Sequence, residues 1–159
     1  MTSSQPTPAW RKRPATAEDQ PFLKRLFVET NEALQFLPPP LREGLAEMQY
    51  GGREMTYGSQ FPDASDSIIC LVDGTAVGRQ LTAHVDGALR LVDVAILPAW
   101  QGRGLGGAVL RALLDEAARE QARVELRVAR GNPAVRLYER LGFKMVDADA
   151  VSLEFRWEA

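Results

Sequence analysis

The chain has 159 residues, 45% of them apolar and 25% charged, enough for one ordinary globular domain with a real core and too few for a second. Nineteen basic against 21 acidic side chains leave a net charge of −2, which argues against a wholesale basic surface for nucleic acid or an anionic membrane. One cysteine, Cys70, excludes an intramolecular disulfide, and one histidine, His84, leaves no Cys/His cluster for zinc and little room for mechanisms built on a histidine base.

Met1 to Pro8 is short, polar and proline-bearing, and reads as a loose tail ahead of one domain over residues 9–159. It lacks the apolar core of a signal peptide. The longest apolar run, Ile68 to Val72, is far below the ~20 residues that a membrane-spanning helix needs, so a cytoplasmic protein is the default expectation.

Trp10 to Arg13 predicts a first strand. Thr16 with Asp19 marks a weak helix start, and Phe22, Leu23, Leu26 and Phe27 recur at helical spacing toward Leu34. The Pro38-Pro39-Pro40 run ends that helix and opens another, whose apolar residues Leu41, Leu45 and Met48 share one face. Gly51-Gly52 and the stretch to Pro62 carry no clear pattern. From residue 66 the period changes: 67–72, 75–85 and 88–97 are β-rich runs joined by Asp73-Gly74 and Asp86-Gly87, strong hairpin signals that predict a three-stranded meander. A glycine-rich loop follows, then a helix with Leu105, Ala108, Val109, Ala112, Leu113 and Ala117 on one stripe, then a strand at 124–128. Strand, helix and strand make a βαβ unit with the two strands parallel. Asn132-Pro133 opens a short helix stopped by Gly142, and runs at 144–148 and 151–157 supply a closing strand pair. The expectation is a single α+β domain with a mixed, mostly antiparallel sheet flanked by helices.

The loop from Pro98 to Gly107 carries the strongest chemical signal: four glycines in six residues between a strand and an amphipathic helix. Glycine permits close approach of backbone N–H groups to a ligand, and a helix N-terminus adds unpaired donors and the positive end of a dipole. An anion, above all a phosphate, fits there. Gly102, Gly104 and Gly107 also satisfy the dinucleotide fingerprint G-x-G-x-x-G, but that pattern expects the first strand of a parallel sheet, and here an antiparallel meander precedes it. A P-loop is excluded because no Lys-Ser or Lys-Thr follows the glycines.

Gln101-x-x-Gly104-x-Gly106, with Pro98 just after the strand and Asn132-Pro133-Ala134-x-x-Leu137-Tyr138-x-x-x-Gly142-Phe143 about 30 residues later, resembles the GNAT family of acyl-CoA-dependent N-acetyltransferases. The resemblance is specific over residues 88–145. It implies acetyl-CoA as cosubstrate, no metal, and a small-molecule or peptide amine as acceptor, with a homodimer left open. It implies that backbone groups of Val94, Ala95 and Ile96 pair with the pantetheine arm, laid beside the strand like an added strand. Backbone N–H groups of Gln101, Gly102, Arg103, Gly104, Leu105, Gly106 and Gly107 would hold the pyrophosphate. Asn132 would contact the cofactor, and the Tyr138 hydroxyl would lie near the thioester sulfur. Residues 101–144 carry nine basic and five acidic side chains, a basic half suited to an anionic cofactor.

Acyl transfer from a thioester to an amine needs a neutral amine, a stabilised carbonyl oxygen and a protonated leaving thiolate. By the resemblance Tyr138 is the general acid. Asp93, in the strand leading to the acyl site, is the candidate base, or else a hydrogen-bonded structural carboxylate. Strict alternation puts Asp93 on one face with Ala95, opposite Val92, Val94 and Ile96, unless a bulge intervenes. Glu29, Glu32 and Glu54 read as solvated. Residues 15–60 are net acidic, which predicts a negative wall favouring cationic amines. Two other readings stay open: an acyltransferase with another donor, and a module that binds acyl-CoA without transferring it.

Overall fold

The computed structural model describes residues 6–159; Met1 to Gln5, most of the expected tail, lie outside the described residues. The chain forms β1 (Trp10–Pro14), α1 (Gln20–Thr30), α2 (Glu32–Gln35), α3 (Pro39–Gln60), β2 (Ser65–Leu71), β3 (Ala76–Val85), β4 (Ala88–Ile96), α4 (Leu105–Arg119), β5 (Val124–Ala129), α5 (Ala134–Arg140), β6 (Lys144–Ala148) and β7 (Ser152–Trp157). The architecture is single-domain α+β. Its sheet has seven strands in the order β1-β2-β3-β4-β5-β7-β6, and every pair is antiparallel except β4 with β5.

The meander forms as the Asp-Gly turns predict. At the β3–β4 turn both Asp86 and Gly87 have positive φ, 50° and 79°, which fits the right-handed twist of a two-residue hairpin. The β4–α4–β5 crossover is the predicted parallel unit. Leu110, Leu113, Leu114 and Ala117 of α4 pack on Leu89 and Leu91 of β4 and on Val124 and Leu126 of β5, while Leu105 and Val109 pack on Ile69, Val77 and Ile96. On the other face Leu23 of α1 and Tyr50 of α3 close over Ile68.

Two helical expectations need correction. The first helix does not run to Leu34: Asn31 interrupts it with extended φ and ψ, and its side chain accepts from the Leu34 N–H to start α2. α3 continues unbroken through Gly51-Gly52 to Gln60, and its inward residues are Ala46, Tyr50, Arg53 and Tyr57. Leu41 and Met48 instead point to solvent, 59% and 66% exposed.

One irregularity sets the geometry of the site. Leu81 pairs with Asp93 but Thr82 pairs with Leu91, so Val92 is an extra residue in β4. The bulge shifts parity: Leu89 and Leu91 face α4, and beyond it Val94 and Ile96 do so. Asp93 and Ala95 therefore turn to the α1/α3 side. Pairing of β4 with β5 covers only Leu89–Leu91 against Val124–Leu126, and past that point the two strands part.

Candidate active site

Two cavities lie beside the point where β4 and β5 separate. The larger, about 580 Å³, is walled by Phe27 and Asn31, by Arg53 and Tyr57 of α3, by Val92, Asp93 and Val94 of β4, by Val128 of β5, and by Asn132 and Tyr138. The smaller, about 320 Å³, is walled by Ile96, the glycine loop, Arg111, Leu137 and Arg140. β4 and α5 each contribute to both: Val94 and Tyr138 to the larger, Ile96 and Leu137 to the smaller. The two cavities therefore have neighbouring walls along β4 and α5.

At the small cavity, Gly102 and Gly104 have φ of 77° and 79°, which other residues rarely adopt. Gly104 is the N-cap of α4, and the Ala108 N–H donates to its carbonyl as the first helical bond. The N–H groups of Leu105, Gly106 and Gly107 precede that bond and have no acceptor within the helix. A Cβ on Gly102 or Gly106 would meet nothing within 4 Å, so the floor is bare backbone. Arg111 and Arg140 bring two guanidinium groups to the rim. Free donors, open glycine backbone and two cations fit a pyrophosphate. Gln101 acts within the protein: its side-chain amide donates to the Ile96 carbonyl at 2.8 Å and its backbone N–H to the Pro98 carbonyl, pinning the loop to the end of β4. Arg103 stacks on Trp100 at 4.7 Å. Thr7, from the segment expected to be loose, lies against Gly104.

At the large cavity, Tyr138 is buried, its ring edge-on to Phe143 at 5.7 Å and tilted to Phe155 at 6.3 Å. Burial, with the nearby Asp93 charge adding to it, pushes its phenol up to about 12. Asp93 is raised above the usual carboxylate range, chiefly by burial, against the pull of Arg53 and Arg79 at 3.7 and 3.8 Å. Arg79 is committed elsewhere. It donates twice to Glu54 and twice to Asp66, all at 2.8–2.9 Å, and is 3% exposed. Asn132 caps α5, its Oδ1 accepting from the Ala134 N–H at 2.9 Å.

The structure thus brings Asp93, Val94, Asn132 and Tyr138 to one cavity and Ile96, Gln101, Gly102, Gly104, Leu105, Gly106 and Gly107 to the other. His84 is exposed and Cys70 is fully buried, both away from these cavities. The predicted acidic wall is absent among the described residues. Asp19 is bound to Arg13, Glu29 to Arg25, Glu47 to Lys24 and Glu54 to Arg79, and the charged groups lining the cavity are Glu32 and Asp93 against Arg53 and Arg127. Arg53 and Tyr57 were hidden by the glycine-rich composition of α3; their spacing with Ala46 and Tyr50 was the available signal. Arg53 lies over Phe27 at 4.6 Å and Tyr57 at 5.3 Å. Arg111, readable as a solvated helix residue, owes its place at the rim to lying one helical turn past Gly107.

A strand parting from its parallel neighbour beside a glycine-floored helix N-terminus leaves room for an extended ligand with an anionic end. Residues 24–143 match the Acetyltransferase (GNAT) family, and the chain belongs to that family. Its fold is shared with the PaiA N-acetyltransferase of Thermoplasma acidophilum, solved with coenzyme A, at TM-score 0.74 and 16% identity over 95% of this chain and 99% of that one. An acetyltransferase of Thermus thermophilus aligns at TM-score 0.70 and 21% identity over 98% and 100% of the chains. The ribosomal-protein-S18-alanine N-acetyltransferase of Escherichia coli aligns at 0.65 and 20% over 94% and 93%.

Proposed function

We propose that this acyltransferase moves the acetyl group of acetyl-CoA to a primary amine of a small molecule or peptide by direct attack, with both substrates bound together. The observation that carries the reading is the pair of neighbouring cavities beside the split between β4 and β5, one walled by the glycine loop and the other by Tyr138 and Asp93. Leu105, Gly106 and Gly107, with Arg111 and Arg140, hold the pyrophosphate. The backbone of Val94, Ala95 and Ile96, free of β5, offers the pantetheine arm a strand-like edge.

Acetyl-CoA supplies an activated acyl group and a thiolate leaving group. Asp93, made a stronger base by burial, accepts a proton from the incoming ammonium, directly or through one water, so that a neutral amine attacks. A backbone N–H near Ile96 stabilises the carbonyl oxygen as charge develops on it, a contribution of about 3–4 kcal/mol in well-aligned sites. Tyr138, protonated throughout the neutral range, donates to the departing sulfur and recovers a proton from the nitrogen of the new amide, so that the one proton released overall leaves through Asp93. Arg53, Tyr57 and Phe27 form the acceptor wall.

The test is thiol release from acetyl-CoA across an amine panel, beside calorimetric binding of CoA. Amine-dependent release with measurable CoA binding supports the reading. Binding of CoA with no release above background for any amine identifies a binding module instead.

A further inference from the structure

α3 has two faces, and only one is used within the molecule. Ala46, Tyr50, Arg53 and Tyr57 turn inward. The opposite stripe reads Leu41, Gly44, Met48, Gly51, Met55, Gly58, a strict alternation of large apolar residue and glycine at heptad spacing. Leu41, Met48 and Met55 are 59%, 66% and 76% exposed. The glycines have no reason inside this chain, since a Cβ at Gly44, Gly51 or Gly58 would meet nothing within 4 Å, and glycine is among the poorest helix formers. The stripe itself carries no charge, and Glu47 at its edge is paired with Lys24. Arg53 and Glu54, the charged residues of the helix after Glu47, are engaged with Phe27, Tyr57 and Arg79 on the inward side. A solvated helix face normally carries charged side chains.

We propose that this face of α3 is a dimer interface, occupied by the same face of a second copy of this chain running antiparallel across a twofold axis between Met48 and Gly51. Antiparallel registers one heptad away also set large residues on glycines, but this register alone pairs all six positions. Leu41 meets the partner's Gly58, Gly44 meets the partner's Met55, and Met48 meets the partner's Gly51; the symmetry repeats all three contacts. Every layer holds one large side chain and one glycine, so the helices approach closely and fill the seam evenly. Parallel pairing would stack methionine on methionine and glycine on glycine, alternating crowded and empty layers. The uncharged stripe brings no like charges together, and it lacks the lysines and arginines of a helix that lies on a membrane. Because α3 carries Arg53 and Tyr57 on its inward side, the dimer braces the wall of the larger cavity.

Sedimentation velocity on the full chain across the micromolar range tests this. The wild type is expected to be a dimer. Gly51→Leu fills the seam yet adds its side chain to open space in the monomer, so it is expected to weaken dimerisation at least about tenfold while circular dichroism stays native. Met48→Glu is expected to do the same through charge. Orientation is read by oxidation: Leu41→Cys mixed with Gly58→Cys should give an intersubunit disulfide, whereas either variant alone should not, because identical positions then lie about 25 Å apart. The native Cys70 is buried and does not compete. A monomeric wild type, a Gly51→Leu dimer of undiminished affinity, no disulfide in the mixture, or equal disulfide in a single variant overturns the proposal.

Discussion

Asp93 and Tyr138 reach one cavity from two sides of the split between β4 and β5, and the carboxyl of the first helps to keep the phenol of the second protonated. The relationship separates their roles. Burial makes Asp93 a better proton acceptor than a solvated carboxylate, and the same burial, reinforced by that charge, keeps Tyr138 a donor. The opposite proton-transfer roles proposed for them would follow from one environment acting on an acid near 4 and an acid near 10.

Tyr138→Phe keeps the ring between Phe143 and Phe155 and deletes only the hydroxyl. The expected result is a kcat lower by about 10²–10⁴ with KM for acetyl-CoA and Tm nearly unchanged, read from steady-state kinetics and thermal unfolding. Wild-type turnover would reduce Tyr138 to a packing residue.

The pH profile should carry Asp93. Its carboxyl is raised, so the basic form accumulates as pH climbs through that raised value, and kcat/KM should rise along an acid limb lying above the ordinary carboxylate range. Asp93→Asn should lower activity and flatten that limb without unfolding the protein, because the four hydrogen bonds of Arg79 to Glu54 and Asp66 remain. Arg79→Leu is the structural contrast: it removes four hydrogen bonds, leaving Asp66 without its partner and Glu54 with Arg53 alone at 3.6 Å, and should cost about 3 kcal/mol, close to 10 °C in Tm. Collapse of Asp93→Asn together with survival of Arg79→Leu would reverse the assignment.

The glycine floor gives a cleaner test at Gly106 than at Gly104. Gly104 has a φ of 79° and is crowded by Thr7, so Gly104→Val strains the backbone as well as blocking phosphate. Gly106 has open space around its Cβ position. Gly106→Val should fold, and should weaken CoA binding at least about tenfold by calorimetry. CoA at about a hundred times Kd should stabilise the wild type by about 2.7 kcal/mol with EDTA present, an increment the variant should lack at the same concentration. A divalent-metal requirement for that increment would contradict a loop built on backbone donors.

Stability below neutral pH should report Asp19. A double hydrogen bond from Arg13, assisted by the Thr16 N–H, holds its carboxyl down to about 2 from an ordinary 3.8, against the opposing effect of burial. The folded state therefore binds this proton less tightly than the unfolded chain. Its contribution is complete above the unfolded value and is lost as pH falls from about 4 through about 2. Asp19→Asn should be less stable than wild type in urea at pH 7, with the gap narrowing as pH drops through that window; a constant gap would mean that the pair acts through packing alone.

The homology-bearing half was legible because its physics is local. Asp86-Gly87 selects its turn from two φ values, α4 declares itself by an apolar stripe, and Gly102 and Gly104 sit where left-handed backbone is required. Gln101 to Gly107 and Asn132 to Tyr138 were found as motifs on those elements. The first sixty residues were less legible, and Leu41 and Met48 misled, because periodicity marks an apolar stripe without saying whether it faces the core or another molecule.

Composition, turn chemistry and periodicity by themselves determined an α+β domain with an antiparallel meander, a βαβ unit and a glycine loop at a helix N-terminus. Tertiary structure alone decided the rest. The extra residue at Val92 turns Asp93 toward α1 and α3 beyond the point where Leu91 faces α4, and no local signal marks it because a bulge is a property of two paired strands. Placement of β7 between β5 and β6 is likewise a choice among pairings far apart in sequence. The neutralisation of Glu54 and Asp66 by Arg79, and of Glu47 by Lys24, depends on which helix packs on which strand, so the charge of the acceptor wall could not be summed from the chain.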